Sequence, residues 1–294
     1  MSGPRPCPVS VPDLIKMKER GERIAMLTAY DFPSARQIDA AGADLLLVGD
    51  SLGMVVLGYD STLPVTMNEM IHHTKAVVRG TERGLVVGDM PYLSYHLGLR
   101  DAVRNAGRFI QEAGAKAVKV EGGRKRARIV RAIREAEIPV MGHVGLTPQS
   151  VHDLGGFKIQ GRDAASALAI LEDALALEDA GVFSVVLEGI PAQLAAAITR
   201  RLSVPTLGIG AGAGCDGQVL VAHDLLGLTA GRVPSFVRRY AEVGDAVRDA
   251  CRRFVEDVRS GAFPGESEAT HLKPEVWEEL RPHLQADPKR LWRS

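Results

Sequence analysis

The stretch Leu45–Gly53, LLLVGDSLG, restricts this chain more than any other. Its run of Leu and Val suits a strand buried on both faces, and such strands belong to parallel sheets covered by helices. The run stops at a bend carrying an acid, Asp50, and a hydroxyl, Ser51. A buried strand that ends in polar residues is the sequence form of a catalytic strand end in a parallel α/β sheet or barrel. Several other runs end the same way, so their polar ends are expected to converge.

From Ile24 onward, short apolar runs alternate with Ala-rich amphipathic segments. The runs are Ala25–Ala29, Leu45–Gly49, Leu85–Gly88, Ala117–Val120, Val140–Val144, Ser184–Leu187, Thr206–Ile209 and Val219–Ala222. Helices are expected between them at Ser34–Ala41, Met67–Arg79, Asp101–Ala113, Arg124–Ala136, Ala164–Ala180 and Ala192–Arg201. Several close on Ala-Gly pairs, as at Ala41-Gly42 and Ala180-Gly181, where glycine ends a helix readily. Eight strands alternating with helices, with no linker or composition shift between them, predict one (β/α)8 barrel. A doubly wound open sheet is the competing fold, but it gathers its polar loops at one switch point rather than after nearly every strand. Val11–Arg20, with Pro12 in its first turn, is expected to form a helix that plugs the barrel bottom. Ser235–Ser260 reads as a long amphipathic helix. The expected organisation is a barrel over residues 1–264 and a charged, Pro-punctuated tail over 265–294.

Length fits either one barrel or two smaller domains, at 294 residues. Lys plus Arg equals Asp plus Glu at 36 each, so no net field attracts nucleic acid or an acidic membrane. The 3 cysteines, Cys7, Cys215 and Cys251, are widely spaced and read as reduced thiols of a cytosolic protein. MSGPRPCPVS lacks the apolar core of a signal peptide, and no run approaches the ~20 apolar residues of a spanning helix. A soluble, cytoplasmic protein is expected.

The strand ends carry the chemistry. Strand two ends in Asp50-Ser51 and strand three in Asp89. On strand four Lys119 and Glu121 are two apart, so both project to the same face, which in a barrel is the interior. An inward Lys and Glu are costly unless they neutralise each other or serve a ligand. Strand five carries His143, and strand six ends in Glu188. Acids crowded at one mouth repel, and a hard cation such as Mg²⁺ relieves them; zinc would want Cys or His. At least one acid should remain for proton transfer.

Blander readings stand beside these. A single Asp after a strand commonly caps a helix, which applies to Asp50 and Asp89 taken one at a time. Repetition at strands two, three, four and six argues for a shared site instead. His143 reads equally well as a satisfied core histidine. The run Gly208–Gly214, GIGAGAG, lacks the partners of a dinucleotide or Walker loop and reads as a tight turn that lets backbone approach a ligand. His72-His73 reads as a solvated or interface pair, and His223-Asp224 as the start of the last barrel helix.

These residues resemble a known family closely. MLTAYDFPSA (Met26–Ala35), LLLVGDSLGMVVLGYDSTLPVT (Leu45–Thr66), GDMPYLSY (Gly88–Tyr95), VKVEGG (Val118–Gly123), GHVGLTPQ (Gly142–Gln149), LEGIP (Leu187–Pro191) and GIGAGAGCDGQVLV (Gly208–Val221) look like the ketopantoate hydroxymethyltransferase family. The resemblance implies a (β/α)8 barrel of the phosphoenolpyruvate mutase/isocitrate lyase-like group. It implies transfer of a one-carbon unit from 5,10-methylenetetrahydrofolate to 3-methyl-2-oxobutanoate, giving 2-dehydropantoate in pantothenate synthesis. A cytoplasmic homo-oligomer, a decamer, is implied as well. Asp50 and Asp89 match positions that hold Mg²⁺, with Glu121 a third ligand. Ser51 and Lys119 match positions contacting the keto acid, His143 one near the substrate, and Glu188 the proton acceptor. Ser235 departs from the basic residue that the resemblance implies before FVRRYA. The rivals are another Mg²⁺-dependent C–C lyase or mutase of the same barrel group and a non-catalytic keto-acid-binding barrel. Enzymes of that group often carry a reactive Cys on a catalytic loop, and no cysteine here sits at a comparable strand end; a silent barrel need not keep a base.

Overall fold

The computed structural model describes residues 7–229, 231 and 233–285. Eight parallel strands close in sequence order into a barrel: β1 Ile24–Thr28, β2 Leu45–Val48, β3 Leu85–Asp89, β4 Ala117–Glu121, β5 Val140–Gly145, β6 Ser184–Glu188, β7 Thr206–Ile209 and β8 Gly217–Leu220. The expected fold class is the one observed. Helices Phe32–Ala40, Met67–Gly80, Leu99–Gln111, Ala127–Glu135, Ala164–Asp179 and Ala192–Arg201 lie between strands, where the periodicity predicts them. The chain falls into two compact units, Met1–Ala241 and Glu242–Ser294, and every strand belongs to the first.

Period-two alternation sorts each strand into an inward and an outward column. Outward residues such as Leu46, Val86, Val118 and Val185 join the layer beneath the helices. Inward residues Ile24, Met26, Leu45, Leu47, Leu85, Val87, Ala117, Met141, Val186, Leu207 and Val219 form a separate hydrocarbon filling. Leu14, from helix Val11–Glu19, is 1% exposed and packs into that filling, as a bottom plug should. Leu14→Ala is expected to cost about 2–5 kcal/mol through lost burial and a cavity. The check is a lower urea midpoint at unchanged slope.

The inward columns change character toward their C-terminal ends. On β3 the order is Leu85, Val87, Asp89; on β4 it is Ala117, Lys119, Glu121; on β5, Met141 is followed by His143. Register places Asp89 beside Lys119, Glu121 beside His143, and Gly145 beside Glu188. A charged layer therefore sits directly on the hydrocarbon filling.

Two sequence expectations, the start of the long helix and the bounds of the last strand, are corrected. Ser235–Glu242 is not helical, and the long helix begins at Val243, running Val243–Ser260. Before it, the Tyr240 N–H donates to the Leu225 carbonyl, a tertiary bond that competes with helix formation. Within the tail, Pro274–Gln285 is a helix, with Pro274 in the first turn, where the missing N–H costs nothing, and Pro282 inside it. The last strand begins at Gly217 rather than Val219. No helix among the described residues is long and apolar enough to cross a membrane.

Candidate active site and metal centre

The ends of β2, β3 and β4 bring Asp50, Asp89 and Glu121 together, with one carboxylate oxygen from each lying within 4.8 Å of the others. All three residues are buried. Each is steered by an amide. The Asp50 N–H donates to Asp89 Oδ2 at 3.2 Å, Gln149 Nε2 donates to Asp50 Oδ2 at 2.8 Å, and the Gln149 N–H donates to Glu121 Oε2 at 3.1 Å.

Lys119, 4% exposed, runs up the same inward column as Glu121. Its Nζ lies 2.8 Å from Asp89 Oδ1 and 3.4 Å from Glu121 Oε1. His143 stands between two acids, with Nδ1 3.3 Å from Glu121 Oε1 and Nε2 3.2 Å from Glu188 Oε2. Ser51 follows Asp50 directly, and its hydroxyl shares a 2.8 Å hydrogen bond with the buried phenol of Tyr30. All seven residues singled out in the sequence thus belong to one mouth.

Electrostatics divide them into roles. Burial, reinforced by Asp89 and Glu121, drives the Asp50 pKa well above the ordinary carboxylate value. Burial also raises that of Asp89, against the opposing charge of Lys119. Glu121 differs. Burial works to raise it, but Lys119, His143 and its hydrogen bonds outweigh that and lower it to about 2. Lys119 stays charged: burial opposes its charge, yet Asp89, Glu121 and Asp50 raise its pKa above the lysine norm. For His143, burial and Lys119 oppose protonation, while Glu121 and Glu188 outweigh them and raise its pKa to about 9.

The donor set fits a hard divalent cation. All three donors are oxygens, which suit Mg²⁺ rather than zinc. At 4.8 Å two like charges repel by about 3 kcal/mol at an effective dielectric of ~20, a repulsion that a dication reverses. Asp89 Oδ1 is buried without a hydrogen bond of good geometry, despite its ion pair to Lys119. Glu188 lies outside this nest. Its side chain is 17% exposed, against 2% for Asp89 and 3% for Glu121.

The glycine run turns tightly, with Gly210 and Gly212 both at positive φ, and two of its glycines also meet a helix. A Cβ on Gly212 would meet Ala192 at 2.4 Å, and one on Gly214 would meet Ala196 at 2.6 Å. Those glycines let the loop after β7 lie against helix Ala192–Arg201. His72 is exposed, whereas His73 Nδ1 contacts the Tyr30 carbonyl at 2.6 Å. Gln149, Tyr30 and Tyr95 also touch the mouth, beyond the residues that the strand ends point to. All three fall inside the family-like segments Met26–Ala35, Gly88–Tyr95 and Gly142–Gln149, which is the sequence signal that could have found them.

A closed parallel barrel with an acid-lined C-terminal mouth is the architecture of (β/α)8 enzymes. Solved structures agree on the fold. Phosphoenolpyruvate phosphomutase from Streptomyces platensis subsp. rosaceus superposes with a TM-score of 0.59 at 14% identity, over 97% of this chain and 100% of that one. 2,3-dimethylmalate lyase, a PEP mutase/isocitrate lyase superfamily member, gives 0.57 at 19% identity, over 96% and 100%. Sequence narrows the class. The family model described as ketopantoate hydroxymethyltransferase matches residues 8–266. The 3-methyl-2-oxobutanoate hydroxymethyltransferase of Carboxydothermus hydrogenoformans is 56% identical over 92% of this chain and 99% of its own length. That of Moorella thermoacetica is 60% identical over 87% and 95%. The chain belongs to the ketopantoate hydroxymethyltransferase family, a family of transferases.

Proposed function

We propose that this enzyme transfers a hydroxymethyl group from 5,10-methylenetetrahydrofolate to 3-methyl-2-oxobutanoate, giving 2-dehydropantoate, with Mg²⁺ held by Asp50, Asp89 and Glu121. Family membership supports the reaction. The observation that carries the mechanism is a nest of three buried carboxylates with a fourth, Glu188, left outside it.

The reaction needs a carbanion beside a ketone, formed at a carbon that already bears two methyl groups. A bound divalent cation supplies Lewis-acid stabilisation of the charge that develops on the keto oxygen. Lys119, kept charged by its acids, adds a second positive charge for the substrate carboxylate or enolate oxygen. Its placement on a packed strand means that little reorganisation is needed as charge develops. Ser51, its hydroxyl oriented by Tyr30, offers a hydrogen bond to the keto acid. Glu188 takes the C3 proton. His143, 3.2 Å away, orients that carboxylate and links it to Glu121. The carbanion then forms the new C–C bond to the methylene carbon delivered by the folate. The C–N bonds to that carbon break to release tetrahydrofolate, and one water entering from the open mouth supplies the hydroxyl oxygen, while hydrocarbon beneath the charged layer closes the site from below.

The direct test is purified protein with Mg²⁺, methylenetetrahydrofolate and 3-methyl-2-oxobutanoate, followed for 2-dehydropantoate. EDTA is expected to stop product formation and excess Mg²⁺ to restore it. Turnover indifferent to EDTA would remove the metal from this reading. The resemblance also supports a place in pantothenate synthesis and a cytoplasmic decamer. Light scattering of the purified protein measures the subunit number.

A further inference from the structure

We infer that Gln149 is a positioning residue for the cation nest, clamping Asp50 and Glu121 in their orientations, with Tyr95 holding Gln149 in turn. The inference rests on the metal reading of the three carboxylates given above. Gln149 lies in the short turn Pro148–Ser150 after β5 and is 6% exposed. Its side-chain amide has two hydrogens, and both are used: one goes to Asp50 Oδ2 at 2.8 Å, the other to the Met90 carbonyl at 2.9 Å. Its backbone N–H goes to Glu121 Oε2 at 3.1 Å. One residue from the β5 loop thus grips groups that follow or end β2, β3 and β4.

The orientation of this amide is set by chemistry. A carboxylate and a backbone carbonyl accept only, so the NH₂ must face them and the oxygen must point away. There Tyr95, 1% exposed, donates its phenol to Gln149 Oε1 at 2.5 Å. Reversing the amide would set Oε1 against two acceptors and leave the phenol facing a donor. Asp50 has an acid neighbour on each side of the nest and no lysine of its own at ion-pair distance among the described residues. Its side-chain hydrogen bond from Gln149 therefore does the aligning that Lys119 does for Asp89. A carboxylate with one oxygen fixed by an amide presents the other in a defined direction. Outer partners of this kind typically change metal affinity by about 10–100-fold when removed.

The test is Mn²⁺ binding to the full chain, read by electron paramagnetic resonance with Mg²⁺ competition. Wild type, Gln149→Met, Tyr95→Phe and the double variant are compared, with the melting temperature of each cation-free protein as control. Met fills similar space without donors. Gln149→Met is expected to bind Mn²⁺ about 10–100-fold more weakly and to broaden the bound-metal spectrum. Tyr95→Phe is expected to weaken binding less. The double variant should bind no more weakly than Gln149→Met alone, because the phenol acts through the amide. Wild-type affinity in Gln149→Met overturns the inference, as does full additivity in the double variant. Should Gln149→Met not fold, Tyr95→Phe decides, and unchanged affinity and line shape there overturn it. A wild-type protein that binds neither Mn²⁺ nor Mg²⁺ fails at the earlier step and removes the metal reading itself.

Discussion

Glu188→Gln is expected to bind 3-methyl-2-oxobutanoate and divalent cation much as wild type does, yet to lose about 10²–10⁴-fold in exchange of the C3 proton with solvent deuterium. The amide keeps the shape of the carboxylate beside His143, but it cannot take a proton. Because Glu188 lies outside the three-carboxylate nest, the change should leave cation affinity intact. That separates it from every other acid in the mouth. Proton NMR of the keto acid in deuterium oxide, with enzyme and Mg²⁺ but no folate, reads the exchange alone. Exchange at the wild-type rate in Glu188→Gln would show that another group is the base.

Asp89→Asn is expected to have the opposite signature: cation affinity falls by about 100-fold or more, and cation-dependent binding of the keto acid disappears with it. Loss of a direct ligand should exceed the ~10–100-fold typical of outer partners. Two effects on folding oppose each other. The substitution takes one counter-charge from buried Lys119, and breaking such a pair commonly costs about 3–5 kcal/mol. It also relieves the repulsion on Asp50 and Glu121, and Lys119 keeps Glu121 at 3.4 Å. The net change in cation-free stability should therefore be smaller than that range. Titration calorimetry with Mg²⁺, followed by keto acid, checks the binding. Wild-type cation affinity in Asp89→Asn would exclude Asp89 as a ligand.

The barrel was legible because period-two columns and Ala-Gly helix ends are local signals. Leu85, Val87 and Asp89 announce both a strand and its functional end within five residues. The last strand was misplaced by two residues because hydropathy favours Val219 onward. Its true start depends on a neighbour instead: a Cβ on Gly217 would meet the Ile24 carbonyl at 2.3 Å, so only glycine lets β8 close on β1 there. Residues 235–242 carry an amphipathic pattern that a single tertiary bond from Tyr240 helps to overrule. The Pro-punctuated tail announces no helix, yet Pro274–Gln285 is one and runs through Pro282.

Within the site, the acids and Lys119 were readable from their strand positions. Gln149 was not. Its partners Glu121, Tyr95, Met90 and Asp50 lie 28, 54, 59 and 99 positions away, and no periodicity in a loop residue encodes such contacts. Tyr30 hides for a similar reason, since its hydroxyl meets Ser51 across 21 positions.

The apolar filling under the charged layer has a consequence for how such a molecule can change. Along one strand, the lower inward residues answer for folding and the upper ones for chemistry, so the two duties are mutable on separate schedules. Exchanging Val87 for a similar-sized hydrocarbon asks nothing of Asp89, and redesigning the upper storey leaves the foundation standing. A protein engineer seeking a new carbon nucleophile would rebuild only that storey and keep the rest as scaffold.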